Sequence, residues 1–242
     1  MERFGFVRRR RIVSDSPPRK NLDVTPTYQG LLELRNTEGS QSLRHIYRVE
    51  PFLAGLVVSV LSPILLLVAL LIFASSRKAP LIRHRRVGYR GTELSMLKFR
   101  TMWPCKGPWE SPFQVENVSN SIPDRKDEGD RRVTSRFAAF CRRYSIDELP
   151  QLFHIVRGEM SFVGPRPITQ DELETHYGES AQRVLSLRPG LTGLWQIMGR
   201  NRLSYEQRRR LDLCLVKHAS LGLYFQILWR SIPQVVHGHD AH

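Results

Sequence analysis

The sequence lacks the signatures of most nucleotide- and metal-dependent chemistries. It contains no Gly-x-x-x-x-Gly-Lys-Ser/Thr phosphate loop, no Gly-x-Gly-x-x-Gly dinucleotide turn, no His-Glu-x-x-His zinc helix and no Gly-x-Ser-x-Gly nucleophile elbow. Its three cysteines, Cys105, Cys141 and Cys214, are far apart and show no Cys-x-x-Cys spacing. That argues against a disulfide framework or a zinc knuckle and suits reduced cytosolic thiols. Acidic residues are also scarce, 23 against 37 Lys+Arg, for a formal net charge of +14. Such a surface attracts anions: phosphate groups, acidic lipid headgroups or nucleic acid. With those motifs excluded, any chemistry has to come from the acids and arginines.

What the chain does have is a run from Phe52 to Ala74 without a single charge. It is long enough for the roughly 20 apolar residues of a membrane-spanning helix. Ser62 and Pro63 interrupt it, and a proline there removes the amide that would bond the Ser59 carbonyl, at about 3 kcal/mol in a helix interior. Arg44 and Arg48 precede the run, while Arg77, Lys78, Arg83, Arg85 and Arg86 follow it. Positive flanks mark the cytoplasmic side. Both ends being positive, the run reads either as a re-entrant dip that turns at Ser62-Pro63 or as an ordinary kinked span. The 242 residues leave room for one domain of ordinary size beyond it.

Residues 1–43 carry the arginine run Arg8 to Arg11 among Ser, Pro, Thr and Asn, which predicts a basic tail without fixed structure. Residues 44–76 form the membrane segment and 77–242 a cytosolic domain. Leu81 to Gly91 and Leu94 to Met102 read as strands around a glycine turn, the second placing Lys98 and Arg100 on one face. Two cations facing one way suit a diphosphate, although a solvated strand face explains the same alternation. Trp103 to Arg132 reads as a long loop, a lid or an insert. A helix is predicted at Leu149, Leu152, Phe153 and Val156, with Gly158 as its stop. Pro150 fits only in its first turn, so Asp147 and Glu148 fall at the start. A carboxylate there is kept ionised by the local amides, which also favour an incoming phosphate; plain capping is the simpler account. Pro165 and Pro167 stiffen the chain on both sides of Arg166. An acidic helix is expected from Asp171 to Ser186, and a basic one opened by a Ser204–Gln207 capping box. The apolar stretch Leu221 to Val236 reads as an interfacial amphipathic helix or as packed core. The terminal histidines His237, His239 and His242 read as a frayed end.

Four segments, Lys98-Phe99-Arg100-Thr101-Met102, Asp147-Glu148-Leu149-Pro150-Gln151-Leu152, Gly164-Pro165-Arg166-Pro167 and Pro189 to Gln196, resemble in type and order the bacterial sugar transferases. These are monotopic enzymes that transfer a sugar-1-phosphate to a polyprenyl phosphate. The resemblance runs from about Arg44 to the C-terminus and implies an α+β catalytic domain with interfacial helices, on a re-entrant helix bent at Ser62 and Pro63. It also implies a UDP-hexose donor, undecaprenyl phosphate as acceptor, contact with membrane phospholipids at the cytoplasmic face of the bacterial inner membrane, and no nucleic acid. A homo-oligomer is compatible with it. On this likeness Asp147 is the nucleophile, and Glu148 helps to hold Mg²⁺ with Asp147 or takes a proton. Lys98, Arg100, Arg142, Arg143, Arg166 and Arg200, with Pro165 and Pro167, line the diphosphate site. The sequence departs from the family pattern at Glu50 and Tyr224, where aspartates are usual, and at Trp103-Pro104-Cys105. Two rival readings are a membrane-tethered nucleic-acid-binding protein, suggested by the charge, and a catalytically degenerate scaffold, suggested by those departures.

Overall fold

The computed structural model describes residues 39–102, 116–118, 135–199 and 203–236. Residues 1–38 of the basic tail expected over 1–43, most of the loop from Trp103 to Arg132, Arg200 and the terminal histidines lie outside them, whereas residues 39–43 of that tail belong to the first helix.

Helix α1, Gly39–Ser76, is 38 residues long and contains both Pro51 and Pro63. It is the one helix among the described residues long and apolar enough to cross a membrane. Each proline frees a carbonyl four residues earlier, and each freed carbonyl has found another donor. The Ser62 hydroxyl donates to Ser59 O at 2.8 Å, and the Arg188 guanidinium donates to Tyr47 O at 3.3 Å. The helix therefore remains helical through Ser62-Pro63, because a side chain on the helix itself replaces the missing amide.

Strands β1 (Leu81–Val87) and β2 (Glu93–Phe99) form an antiparallel hairpin. Its turn holds Arg90 at φ 55° and Gly91 at φ 81°. A short strand inside the predicted loop, β3 (Glu116–Val118), pairs parallel to β1; a three-residue segment is too short to announce itself by periodicity. On β2 the inward face carries Leu94, Met96 and Lys98, all buried. Lys98 at 6% exposed and Arg100 at 5% rule out a solvated strand face.

Helix α2 (Arg136–Arg143) is capped by the Ser135 hydroxyl, which accepts from the Phe137 and Ala138 amides. A 3₁₀ segment, Ile146–Gln151, then runs into α3 (Leu152–Val156). The expected apolar stripe is corrected here: Leu152 and Ile155 are buried, whereas Phe153 and Val156 are exposed. The 3₁₀ opening turns more per residue than an α-helix and rotates the later side chains away from the anticipated face. Strand β4 (Ser161–Val163) pairs parallel with β5 (Gly190–Thr192).

The acidic helix between them is broken. A Thr169–Glu172 capping box opens α4 (Gln170–Glu172), a π turn follows, and Gly178 at φ 46° ends the run before α5 (Ala181–Val184). Helix α6 (Leu194–Met198) precedes α7 (Tyr205–Lys217), which has the expected Ser204–Gln207 box, and α8 (Leu221–Val236).

Three apolar clusters each include a stretch of α1. Leu43 packs with Leu223, Tyr224 and Ile227 of α8. Ala54 packs with Leu152 and Ile155 of α3. Leu65, Val68 and Ile72 pack with Phe99, Ala138 and Cys141. From Leu43 to Ile72, about 43 Å at roughly 1.5 Å per residue, the helix lies along one folded domain. Its other faces expose Phe52, Leu56, Val60, Leu66 and Leu70, and beside it α8 exposes Leu221, Phe225, Trp229 and Ile232 along one side. This is far more exposed apolar surface than a water-soluble fold carries.

Candidate active site

Asp147 and Glu148 sit in the first turn of the 3₁₀ segment, after Ser145 at φ 55°. Asp147 is 3% exposed. Glu148 Oε1 lies 3.9 Å from Lys98 Nζ, which brings the acid turn against β2. The next residue back on β2 supports it: the Leu97 amide donates to His154 Nε2 at 3.0 Å, and His154 Nδ1 meets Glu159 Oε2. Because Nε2 accepts, the ring proton belongs on Nδ1 facing the carboxylate. His154 thus ties the edge of β2 to the helix that follows the acid pair.

Asp147 also faces α2. Burial, and then the Asp147 charge, push the Cys141 thiol up to about 11. Arg142, next to Cys141, is buried. Arg100 is anchored by its Nε donating to Ala79 O at 2.8 Å. Arg143 takes the other side of α2, exposed, with its guanidinium 5.8 Å from the Tyr144 ring.

The Pro165-Arg166-Pro167 turn is clamped on every side. Gly164 N donates to Thr192 O, Gly190 N to Pro165 O and Val87 N to Ile168 O, at 2.9, 2.8 and 2.7 Å. A Cβ on Gly190 would stand 2.0 Å from Gly164 N, and one on Gly164 would stand 2.2 Å from Arg188 O. These glycines are what allow two separate motifs to lie backbone against backbone. Asp212, fully buried on α7, accepts from Arg166 N at 3.4 Å and from the Tyr177 hydroxyl at 2.8 Å. Desolvation raises its pKa to about 7 against the pull of those two donors. The Arg166 side chain lies over the Trp195 ring at 4.9 Å, where Arg208 also approaches, at 5.5 Å.

The two cationic stations are separate along the hairpin. Lys98 pairs with Ile82, at the opposite end of β1 from Val87, where Ile168 bridges. Five residues of strand put about 17 Å between those two points at roughly 3.3 Å per residue.

The departures at Glu50 and Tyr224 meet each other. Glu50 Oε1, in α1 and 2% exposed, accepts from the Tyr224 hydroxyl at 2.6 Å, the Ser161 hydroxyl at 2.6 Å and Phe162 N at 2.9 Å. Burial and the Glu50 charge drive the Tyr224 pKa upward, so its proton stays available for donation. One carboxylate thereby joins α1, α8 and the strand that leads into Pro165-Arg166-Pro167.

Sequence reasoning did not single out Arg208, Asp212 or His154. A signal existed for the first two: a helix opened at Ser204 places Arg208, Leu211, Asp212 and Leu215 at i, i+3, i+4 and i+7 on one face. For a divalent cation the donors at hand are the adjacent carboxylates of Asp147 and Glu148. No group of three or more His, Cys, Asp or Glu forms among the described residues. Two carboxylates completed by water and substrate phosphates is an arrangement that Mg²⁺ accepts.

An apolar helix laid along a small mixed domain, with buried acids and cations beside it, defines a membrane-associated protein built to handle anionic groups. The bacterial sugar transferase profile matches residues 44–238, and the chain belongs to that family. It is 42% identical to the exopolysaccharide production protein ExoY of Rhizobium meliloti over 75% of this chain and 81% of that protein. It is 38% identical to the UDP-galactose-lipid carrier transferase of Erwinia amylovora, covering 88% of this chain but only 45% of that longer protein. It is also 34% identical to the UDP-glucose:undecaprenyl-phosphate glucose-1-phosphate transferase of Caulobacter vibrioides, over 78% of this chain and 68% of that protein.

Proposed function

We propose that this protein transfers hexose-1-phosphate from a UDP-hexose, galactose or glucose, to undecaprenyl phosphate, as the first step of exopolysaccharide or O-antigen assembly. The observation that carries the reading is the buried Asp147 and half-buried Glu148 with Lys98 against them, held beside the apolar helix. The names of the relatives support both sugars as candidates.

In the first step an Asp147 carboxylate oxygen bonds to the phosphorus that bears the sugar, and the bond from that phosphorus to the bridging oxygen breaks. UMP leaves with the bond's electron pair, and an aspartyl phosphosugar remains. An oxygen of the polyprenyl phosphate then attacks the same phosphorus and frees the carboxylate. Positioning and charge neutralisation dominate such transfers. Lys98 supplies a fixed cation at Glu148, and Arg100 and Arg142 add positive charge from the adjoining elements. Mg²⁺ held by Asp147 and Glu148 would neutralise diphosphate charge when bound.

The membrane geometry is re-entrant in this reading, with both ends of α1 at the cytoplasmic face of the inner membrane. Contact between α1 and the same charge-bearing domain at both Leu43 and Ile72 supports it. A straight span would carry Phe99, and with it Lys98 and Arg100, into the bilayer, where charge is costly. The basic surface is then met by phosphates and acidic headgroups rather than by nucleic acid.

The test is release of UMP from UDP-galactose and from UDP-glucose in membranes, with and without undecaprenyl phosphate. Release that depends on Mg²⁺, with a radiolabelled phosphosugar trapped on the protein when acceptor is withheld, is expected. No UMP from either donor would refute it. Tags placed before Arg44 and after His242 should both be cytoplasmic; opposite sides would restore a spanning helix.

A further inference from the structure

We propose that His154, held in one tautomer by Glu159, is a positioning residue of the transfer site, which sets the separation of Lys98 from the Asp147–Glu148 turn without itself touching substrate. The reaction it serves rests on the reading above; the linkage itself rests on geometry. Strand β2 is the edge of its sheet, so amides along its open side need partners from outside the sheet. For Leu97, the residue before Lys98, that partner is the His154 ring, whose Nε2 accepts from Leu97 N at 3.0 Å. The ring is 2% exposed and belongs to the middle of α3, which continues directly from the 3₁₀ segment bearing the two acids. One contact therefore fastens the strand beside its cation to the helix that follows its acids.

Nε2 accepts only while the ring proton stays on Nδ1, and the turn after α3 secures that state. Gly158 at φ 73° reverses the chain, and Glu159 N and Met160 N donate back to His154 O at 2.9 and 3.2 Å. This return path sets Glu159 Oε2 against Nδ1, where a carboxylate favours the N–H. Met160 is fully buried in the cluster that also holds Leu94 and Met96 of β2 and Leu152 and Ile155 of α3. The turn carrying Glu159 is thus anchored in the same core as the two elements that His154 joins. Across that core Lys98 Nζ stands 3.9 Å from Glu148 Oε1. Catalysis by placement is sensitive to displacements of about 1 Å, which can cost about a hundred-fold in rate. Losing the acceptor at Leu97 permits a shift of that order at Lys98.

The test uses the full-length protein in nanodiscs. UMP release per folded protein is measured for wild type, H154F, H154Q and E159A, each alone and combined with K98M, and amide hydrogen exchange is followed at Leu97. H154F is expected to lower the rate at least about ten-fold when Lys98 is present and less than about two-fold with K98M, because its effect passes through Lys98. A general loss of packing would give the same fold-loss in both backgrounds. H154Q, whose amide oxygen can accept from Leu97 N, is expected to recover most of the loss, with E159A in between. Exchange at Leu97 should quicken at least about ten-fold in H154F. Equal fold-losses in the two backgrounds, or unchanged exchange at Leu97 in a folded H154F, overturn the proposal. Should H154F fail to fold, wild-type rate and exchange in E159A overturn it equally. Should K98M release no UMP, exchange at Leu97 decides. If wild type releases none from either UDP-hexose, the transferase reading falls, and exchange at Leu97 still decides whether His154 holds β2 to α3.

Discussion

Replacing Tyr224 with Phe removes one hydroxyl and leaves the ring, so it isolates the bond between α8 and α1. In the wild type three donors converge on Glu50 Oε1, from Tyr224, Ser161 and Phe162. A hydrogen bond to a carboxylate contributes roughly 1.5–3 kcal/mol. Little relief by solvent is available at a carboxylate 2% exposed, so Tyr224→Phe should destabilise by about 2 kcal/mol. Glu50→Ala should cost more, about 3 kcal/mol, because the Phe162 amide loses its acceptor as well and the Ser161 hydroxyl keeps only Val163 O. A double-mutant cycle on unfolding in mild detergent then separates the pair. With Glu50 already absent, Tyr224→Phe should be nearly neutral, giving a coupling of about 2 kcal/mol. Because β4 leads straight into Pro165-Arg166-Pro167, both single variants should also lower UMP release beyond their effect on folded fraction. A coupling below about 0.5 kcal/mol would show that the two departures from the family pattern do not compensate one another, and the account of α1 docking would fail.

Asp147→Asn should abolish both UMP release and the trapped phosphosugar while leaving the melting temperature near wild type; retention of either activity removes Asp147 as nucleophile. Gly190→Ala forces a Cβ to 2.0 Å from Gly164 N, so the β4–β5 pairing must open, and thermal unfolding should report a loss of about 3 kcal/mol, at the upper end for overpacking. For Asp212 the sign follows from its raised pKa. The folded state holds a proton between about 4 and about 7 that the unfolded state has released, so this group's stabilising contribution is complete at low pH. It fades as pH rises through that window, by up to about 4 kcal/mol. Asp212→Asn should flatten that segment of the melting-temperature profile against pH, and an unchanged slope would contradict the assignment.

The acid turn shows how far sequence reasoning reached. Pro150 is allowed only in a first turn, and that alone placed Asp147 and Glu148 at the start of a helical segment. The 3₁₀ character of the turn was not legible, because it arises from packing against β2, and it moved Phe153 and Val156 to the surface. Lys98 and Arg100 alternate with apolar residues whether the strand face is wet or dry. Only the presence of α3 and α1 over the hairpin decides that they are buried. Glu50 and Tyr224 looked like two unrelated departures, since 174 positions separate them; their contact exists only once α8 folds back on α1.

By itself the sequence determined the apolar helix, the capping boxes, the acid pair at a helix start and the family to which the chain belongs. Each depends on neighbours a few residues apart, where covalent geometry and local hydrogen bonding leave few choices. The tertiary structure alone decided that Gly164 and Gly190 interlock, that Arg188 donates to the carbonyl freed by Pro51, and that Arg208 joins Arg166 on Trp195. Those contacts join residues distant in the chain, and loop closure and side-chain packing select them only when the whole domain is assembled.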